Sequence, residues 1–88
     1  DRNNGINIYN NSSVEVPLAI NAAIGQSSNL QNFNNSTGTT LFSVDKNGAL
    51  VFNTQIANSS APNKSLFYSS DSDKLVFKDK NGSIHELY

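Results

Sequence analysis

The strongest constraint on the fold of this chain is a hairpin pattern between residues 40 and 52. Thr40, Phe42 and Val44 alternate with Leu41 and Ser43, and Leu50 and Phe52 resume this period after the tetrapeptide Asp45-Lys46-Asn47-Gly48. Period-two alternation is typical of a β-strand with one buried face. The Asn-Gly dipeptide tolerates positive φ and favours a tight two-residue type I′ turn. The pattern therefore predicts two antiparallel strands joined by a turn at Asn47 and Gly48.

The same tetrapeptide, Asp-Lys-Asn-Gly, recurs at residues 79–82, and it predicts a second turn at Asn81 and Gly82. Short alternating segments surround it, so residues 65–88 are expected to form a three-stranded β meander. Residues 58–64, rich in Asn and Ser with one Pro, are the best linker candidate. The chain is accordingly divided into a module over 1–57, a linker over 58–64 and the C-terminal meander over 65–88.

The composition favours an all-β fold that relies on a partner. Asn and Ser dominate the polar positions, and both residues compete with helices for backbone hydrogen bonds. Leu, Ile, Val and Phe make up about 26% of the 88 residues, without Met or Trp to enlarge a core. Chains only slightly shorter, below about 70–80 residues, rarely obtain more than about 3–5 kcal/mol from one core and usually need staples or partners. Because the chain has no Cys, disulfides are excluded, and oligomerisation is the remaining device.

The cleanest alternating face in the sequence lies in its N-terminal half. Val14, Val16, Leu18 and Ile20 alternate with small or polar residues, which predicts a strand. Pro17 has no N–H to donate to a sheet, so this strand is expected at an edge or beside a bulge. The segment from Leu30 to Phe33 fits neither period well, and a strand buried on both sides by neighbouring chains would explain it.

Several function classes find no support in the sequence. The net charge of −1 and the scattered basic residues exclude an electrostatic footprint for nucleic acid, and no apolar run is long enough for membrane insertion. His85 is the only histidine, so no single chain can form a His-based triad or a multi-His metal site. Asp71-Ser72-Asp73 lacks the further ligands of a calcium loop, and Glu15 and Glu86 have no predicted carboxylate partner. We therefore expect no enzyme, no cofactor and no metal.

One region of the chain resembles a known kind of protein. From Val16 to Leu50 it is similar to a segment that recurs in tail-fibre and other virion structural proteins of tailed bacteriophages. That segment has a Pro-Leu-x-Ile strand, a Gln-[Ser/Thr]-x-Asn-Leu stretch, an aromatic residue, Ser-x-Gly and a Val-Asp-x-x-Gly turn. The matching residues are Pro17, Leu18, Ile20, Gln26, Ser27, Asn29, Leu30, Phe33, Gly38, Val44, Asp45 and Gly48. Phe33 departs from the family, where Trp is more common at this position. The region from Ala61 to Gly82 looks like the closing segment of many such proteins.

The resemblance implies an intertwined, fibre-like homotrimer on the surface of a virion. A phage tail-fibre module near the C-terminal tip would present loops to a host-cell receptor, either a glycan or a protein. A trimeric capsid decoration (cement) protein and a non-viral adhesin-type binding domain are the alternatives. The candidates for the trimer core are Val14, Val16, Leu18, Ile20, Leu30, Phe33, Val44 and Leu50.

The candidates for receptor contact are the polar loops, because strands are committed to packing. These loops cover residues 34–37, 58–63 and 71–73. Tyr9, Tyr68 and Tyr88 either contribute to such a surface or cover strand edges. The chain begins at Asp1 rather than Met, which favours a fragment or a processed product.

Overall fold

A computed structural model describes residues 5–88, and within this range the chain forms six β-strands and no helix. The all-β prediction is confirmed at this level. Residues 1–4, with which the predicted 1–57 module begins, lie outside the described residues. The strands form two antiparallel three-stranded sheets, β1-β2-β3 and β4-β5-β6. Their bounds are β1 (Gln31–Asn34), β2 (Thr40–Val44), β3 (Leu50–Phe52), β4 (Ser65–Ser69), β5 (Lys74–Lys78) and β6 (Ile84–Glu86).

The predicted hairpin is present as β2 and β3 in the first sheet. Val44 pairs with Leu50 and Phe42 with Phe52. Strand β1 pairs with the other side of β2, although the register shifts between Phe33 and Asn34. Leu41 is left as the extra residue of a β-bulge, since the partners of Phe33 and Asn34 are Phe42 and Thr40. The segment from Leu30 to Phe33, which fitted neither period, therefore belongs to strand β1 from Gln31 onwards.

The prediction of a type I′ turn at Asn47 and Gly48 is wrong. Gly48 has a φ of 90°, whereas Asn47 is not among the residues with positive φ. The Gly48 N–H donates to the carbonyl of Asp45 at 3.0 Å, and the Asp45 N–H donates to that of Ala49 at 2.9 Å. This is a three-residue hairpin loop, a type I turn closed by a left-handed glycine. The turn at Asn81 and Gly82 has the same geometry, with Gly82 at a φ of 86°.

A side-chain oxygen at the first position explains this geometry. The Asp45 carboxylate accepts the N–H groups of Asn47 and Ala49 at 2.9 and 2.8 Å. The Asp79 carboxylate accepts those of residues 81 and 83 at 2.9 Å each. In the β1–β2 loop Asn35 repeats the arrangement with residues 37 and 39, so a third copy of the motif exists in the chain. Asx side chains that bond the backbone two residues on are a recognised cause of turns.

The second sheet contains the predicted C-terminal meander and the small core of the protein. Phe67 and Val76 face each other across β4 and β5, and Ala61 and Ile84 pack against them. Residues 58–64 connect the two sheets but are fastened to the second one, because the Lys78 ammonium donates to the carbonyls of Asn58 and Ala61 at 2.7 and 2.9 Å. The division of the chain into two modules stays a prediction.

The structure of the single chain does not contain the strand predicted from Val14 to Ile20. Residues 5–30 contain no strand. Local hydrogen bonds replace a sheet here: the Asn10 amide donates to the Glu15 carbonyl at 2.8 Å, and the Ser12 N–H donates to the Asn10 side chain at 3.1 Å. Such bonds compete with strand pairing, and Pro17 removes one donor from any sheet. Whether these residues are buried in an assembly stays a prediction.

The small core leads to a direct prediction about stability. Phe67 is 2% exposed, and Phe67→Ala should lower the free energy of unfolding by about 3–5 kcal/mol, through lost burial and the cavity that remains. Chemical denaturation followed by tyrosine fluorescence measures the change. Lys46→Ala, on the exposed β2–β3 turn, is the control and should leave the midpoint unchanged. Equal stability of the two variants would contradict the assignment of the core.

Candidate functional site

Three phenylalanines form a continuous stripe across the first sheet, called here the aromatic row: Phe33, Phe42 and Phe52. They are direct cross-strand neighbours in the register of β1, β2 and β3. The ring centroids are 5.5 Å apart between Phe33 and Phe42 and 5.3 Å apart between Phe42 and Phe52, within the range of favourable aromatic pairs. Phe33 is nevertheless 45% exposed. The row is therefore an apolar surface rather than a core.

A groove of about 690 Å³ lies between this stripe and the second sheet. The first sheet contributes Leu50 and Phe52 to its walls, and the second contributes Leu66 and Phe67, with Ile56 from the connection between the sheets. The lining is almost entirely apolar. Such a lining is suited to bury another apolar surface.

Four of the predicted trimer-core residues lie in or beside the first sheet. Val44 and Leu50 are paired on the same face as the aromatic row, and Leu50 is 58% exposed. Phe33 belongs to the row itself. The Leu30 N–H donates to the Val44 carbonyl at 2.9 Å, which extends the β1–β2 pairing by one residue. The structure brings these four together and does not bring Val14, Val16, Leu18 and Ile20 to them.

The face of the second sheet opposite its core is also apolar, and Leu66 and Tyr68 on this face line the groove. Leu66 pairs with Phe77 and Tyr68 with Leu75, on the side away from the Phe67–Val76 core. Leu66 is 48% exposed. Sequence reasoning missed this face, although the alternation of Leu66 with Phe67 could have identified it as the opposite side of the strand.

Two of the three tyrosines lie against strand β5 and its turn. The Tyr68 hydroxyl donates to the carbonyl of Asp73 at 3.0 Å, and the Leu75 N–H donates to the Tyr88 hydroxyl at 3.4 Å. A hydrogen bond with Tyr88 is the main reason why the pKa of Tyr68 is raised. The Lys74 ammonium lies 5.8 Å from the centroid of the Tyr88 ring. These contacts favour the interpretation of Tyr68 and Tyr88 as covers of the sheet.

Two of the three candidate receptor loops form one unit. The Asp71 carboxylate accepts the Asn58 N–H at 2.7 Å, which ties the 71–73 loop to the 58–63 loop. The buried Ser69 hydroxyl donates to the Asn58 side chain at 2.6 Å and accepts the Asp71 N–H at 3.1 Å. Asp73 also accepts a hydrogen bond from the Gln55 amide at 2.6 Å. Asp71 therefore holds the backbone of the 58–63 loop and Asp73 holds the Gln55 side chain, roles that the sequence did not reveal.

His85 is paired with Asp79, with 2.7 Å between Nε2 and the carboxylate oxygen. This pairing lowers the pKa of Asp79, together with the N–H groups of Ser83 and Asn81 that donate to the same carboxylate. Both side chains are partly or largely exposed. One histidine and one carboxylate are too few for a metal centre, and the described residues contain no group of three potential metal ligands.

Comparisons of the chain with protein families, curated proteins and solved structures find no match. Among residues 5–88 there is also no helix with the length and apolarity needed to cross a membrane. The class that the structure defines is therefore an all-β chain of two small antiparallel sheets with exposed apolar faces.

The turn carboxylates predict how stability depends on pH. The N–H groups of Ala49 and Asn47 lower the pKa of Asp45 from its usual 3.8. A carboxyl group whose pKa is lowered by folding stabilises the protein above its unfolded pKa, and this contribution is lost as the pH falls through the folded pKa. The melting temperature should therefore fall as the solution is acidified below about pH 4.

Asp45→Asn tests this origin of the acid sensitivity. The variant keeps the accepting oxygen, as Asn35 does in the β1–β2 loop, but removes the titrating group. Thermal melts between neutral and acidic pH should show a shallower loss of stability for Asp45→Asn than for the wild type. Identical slopes would show that the Asp45 carboxylate does not contribute.

Proposed function

We propose that this chain is a structural and adhesive module of a homotrimeric virion fibre, of the kind found in tails of bacteriophages. The role is mechanical: three copies form one stiff unit, and its loops are presented to the surface of a host cell. The proposal involves no catalytic step and no cofactor. Its support comes from the exposed apolar faces of the chain, and the choice of a phage fibre comes from the sequence resemblance over residues 16–50.

One observation carries the proposal: the chain exposes far more surface than a compact monomer. Its accessible area is 6893 Å² for 9.5 kDa, whereas a compact monomer of this mass exposes about 5,000 Å². The radius of gyration is 16.5 Å, against about 12 Å expected for a compact domain of this length. The core of the described residues consists of Ala61, Phe67 and Val76. Association with further copies is the simplest way to cover the remaining apolar side chains.

The surplus of roughly 1,900 Å² per chain over the compact expectation agrees with what an obligate assembly buries. Interfaces of obligate oligomers cover about 2,000–5,000 Å² in total, counted over both partners. Exposed apolar patches larger than a few hundred Å² are uncommon on proteins that act as monomers. The aromatic row, the groove and the adjoining face of the second sheet with Leu66 and Phe77 are the surfaces that such an assembly would cover.

The oligomeric state tests the proposal directly. Sedimentation equilibrium at micromolar concentration should give the mass of a trimer. Leu18→Ala should weaken or abolish assembly, because truncation of a buried leucine costs about 2–5 kcal/mol in each of the three chains. Ala19→Ser, at the neighbouring position of the alternation, should still assemble. A stably folded wild-type monomer would contradict the fibre module.

The adhesive part of the proposal depends on the loops. Alanine substitutions in the joined 58–63 and 71–73 loops should reduce adsorption of particles to host cells, provided that the trimer is retained. Ser59 and Ser60 are suitable targets, since both are exposed. The 34–37 loop on the first sheet is substituted separately as the comparison. Unchanged adsorption for both sets would make the module a spacer, with the receptor site elsewhere on the fibre.

A further inference from the structure

Strand β3 presents an unpaired edge of the first sheet. The Asp45 N–H donates to the Ala49 carbonyl and the Asn53 N–H to the Leu41 carbonyl. Bonded and non-bonded pairs alternate along an antiparallel ladder, so Ser43 and Val51 form the bonded pair between them. The backbone groups of Leu50 and Phe52 therefore point away from β2. Within the described residues they have no hydrogen-bond partner.

The side chains at this edge are the same ones that form the apolar face. Leu50 and Phe52 lie on the side of the aromatic row, next to the groove. A strand that paired with this edge would thus gain backbone hydrogen bonds and apolar contacts at the same time. Strand addition to an exposed sheet edge is a common mode of recognition, in which alternate side chains fill pockets.

The exposed segment from Val14 to Ile20 has the complementary pattern. Its even-numbered residues are apolar, and all four are exposed, from 86% at Val14 to 45% at Ile20. In an extended strand the even-numbered residues direct their N–H and C=O groups to one edge, and the odd-numbered residues to the other. Pro17 has no N–H, so only the even-numbered side of the segment offers a full set of donors.

We propose that residues 14–20 of one copy add as an antiparallel strand to the β3 edge of a second copy. In an antiparallel pair, residues that exchange hydrogen bonds stand directly opposite and share a face. The even-numbered side chains then lie on the face of Leu50 and Phe52, where they extend the aromatic row beyond β3, beside the groove. A parallel arrangement would place the odd-numbered residues there instead, including Glu15, and leave Leu18 on the other face.

The occupant is a second copy because of the area to be covered. The roughly 1,900 Å² by which each chain exceeds a compact monomer is more than the roughly 800 Å² per partner of a standard interface. It matches a chain that both donates a segment and accepts one. This inference rests on the proposed function in one respect, since both require several copies of the chain. It goes further in naming the segment, the edge and the direction of pairing.

Pro17 then has a defined role at the outer edge of the new strand. The odd-numbered backbone groups of the added segment face away from β3, and Pro17 removes a donor there. Edge strands with proline resist the addition of further strands. The sheet therefore does not grow beyond one added strand at this edge.

Disulfide trapping tests the pairing, and the absence of native Cys makes it clean. One chain carries Leu18→Cys, and a second chain with a tag of different size carries either Leu50→Cys or Phe52→Cys. The two chains are mixed, refolded and oxidised. We expect a mixed disulfide between chains with one of the two edge positions, because opposite residues in a bonded pair are within disulfide range. Ala19→Cys is the matched control, and its mixed disulfide should be lost because its side chain lies on the other face.

The possible outcomes separate this inference from the proposed function. Sedimentation of the wild type and of the reduced Leu18→Cys chains is measured in parallel, and Val14→Cys on the same face replaces Leu18→Cys if that truncation prevents assembly. Cys chains that assemble as a trimer but form no mixed disulfide overturn the edge pairing and leave the fibre module standing, whereas a wild-type monomer overturns both. Equal trapping by Ala19→Cys also overturns the pairing. In a chain carrying both Leu18→Cys and Leu50→Cys, a disulfide confined to the monomer would show that the segment folds back on its own sheet, contrary to the proposal.

Pro17→Ala provides a second test that does not depend on cysteine chemistry. Restoring the N–H should permit a further strand to add, so light scattering should show species larger than the wild-type assembly at equal concentration. Pro62→Ala, at the other proline of the chain, is the control and should not enlarge the assembly. An unchanged size for Pro17→Ala would contradict the role assigned to this edge.

Discussion

The fold depends first on side-chain oxygens that hold its turns. Asp45, Asp79 and Asn35 each accept two backbone N–H groups from a hairpin loop, and the buried Ser69 hydroxyl does the same in the β4–β5 loop. In a larger domain the register of strands is fixed mainly by burial of one face. Because the core is small here, local hydrogen bonds in the turns contribute much to fixing the register of the strands.

The sequence predicted those elements whose causes are local. The hairpin at 40–52 and the C-terminal meander depend on alternation and on nearby turn residues, and both are present. The turn type could not be read from Asn47-Gly48, because this dipeptide fits both a type I′ turn and a type I turn followed by a left-handed glycine. The deciding residue is Asp45 at the first position, which stabilises the second arrangement. The Val14–Ile20 segment is not a strand in the described part of the chain, where hydrogen bonds of the Asn10 side chain replace strand pairing.

The candidate surface was predictable only in part, for a related reason. Phe33, Val44 and Leu50 were recognised as candidates for packing between chains, and they share one face of the first sheet with Phe42 and Phe52. That Phe33 stands beside Phe42 depends on the register of β1, which the bulge at Leu41 shifts. No pattern in this sequence predicts the bulge at Leu41. The linked loops at Asn58 and Asp71 are likewise a product of tertiary packing.

The edge strands of the two sheets differ in how far they are covered, and this difference favours the first sheet as the site of association. The outer side of β4 is partly covered, because Ile56 exchanges backbone hydrogen bonds with Tyr68 and Ser70. Strand β6 ends in His85 and Glu86, whose charges or polarity discourage pairing. Strand β1 is polar apart from Phe33. Strand β3, with Leu50, Val51 and Phe52, is the apolar and uncovered edge among the described strands, so it is the one where a further strand gains both hydrogen bonds and apolar burial.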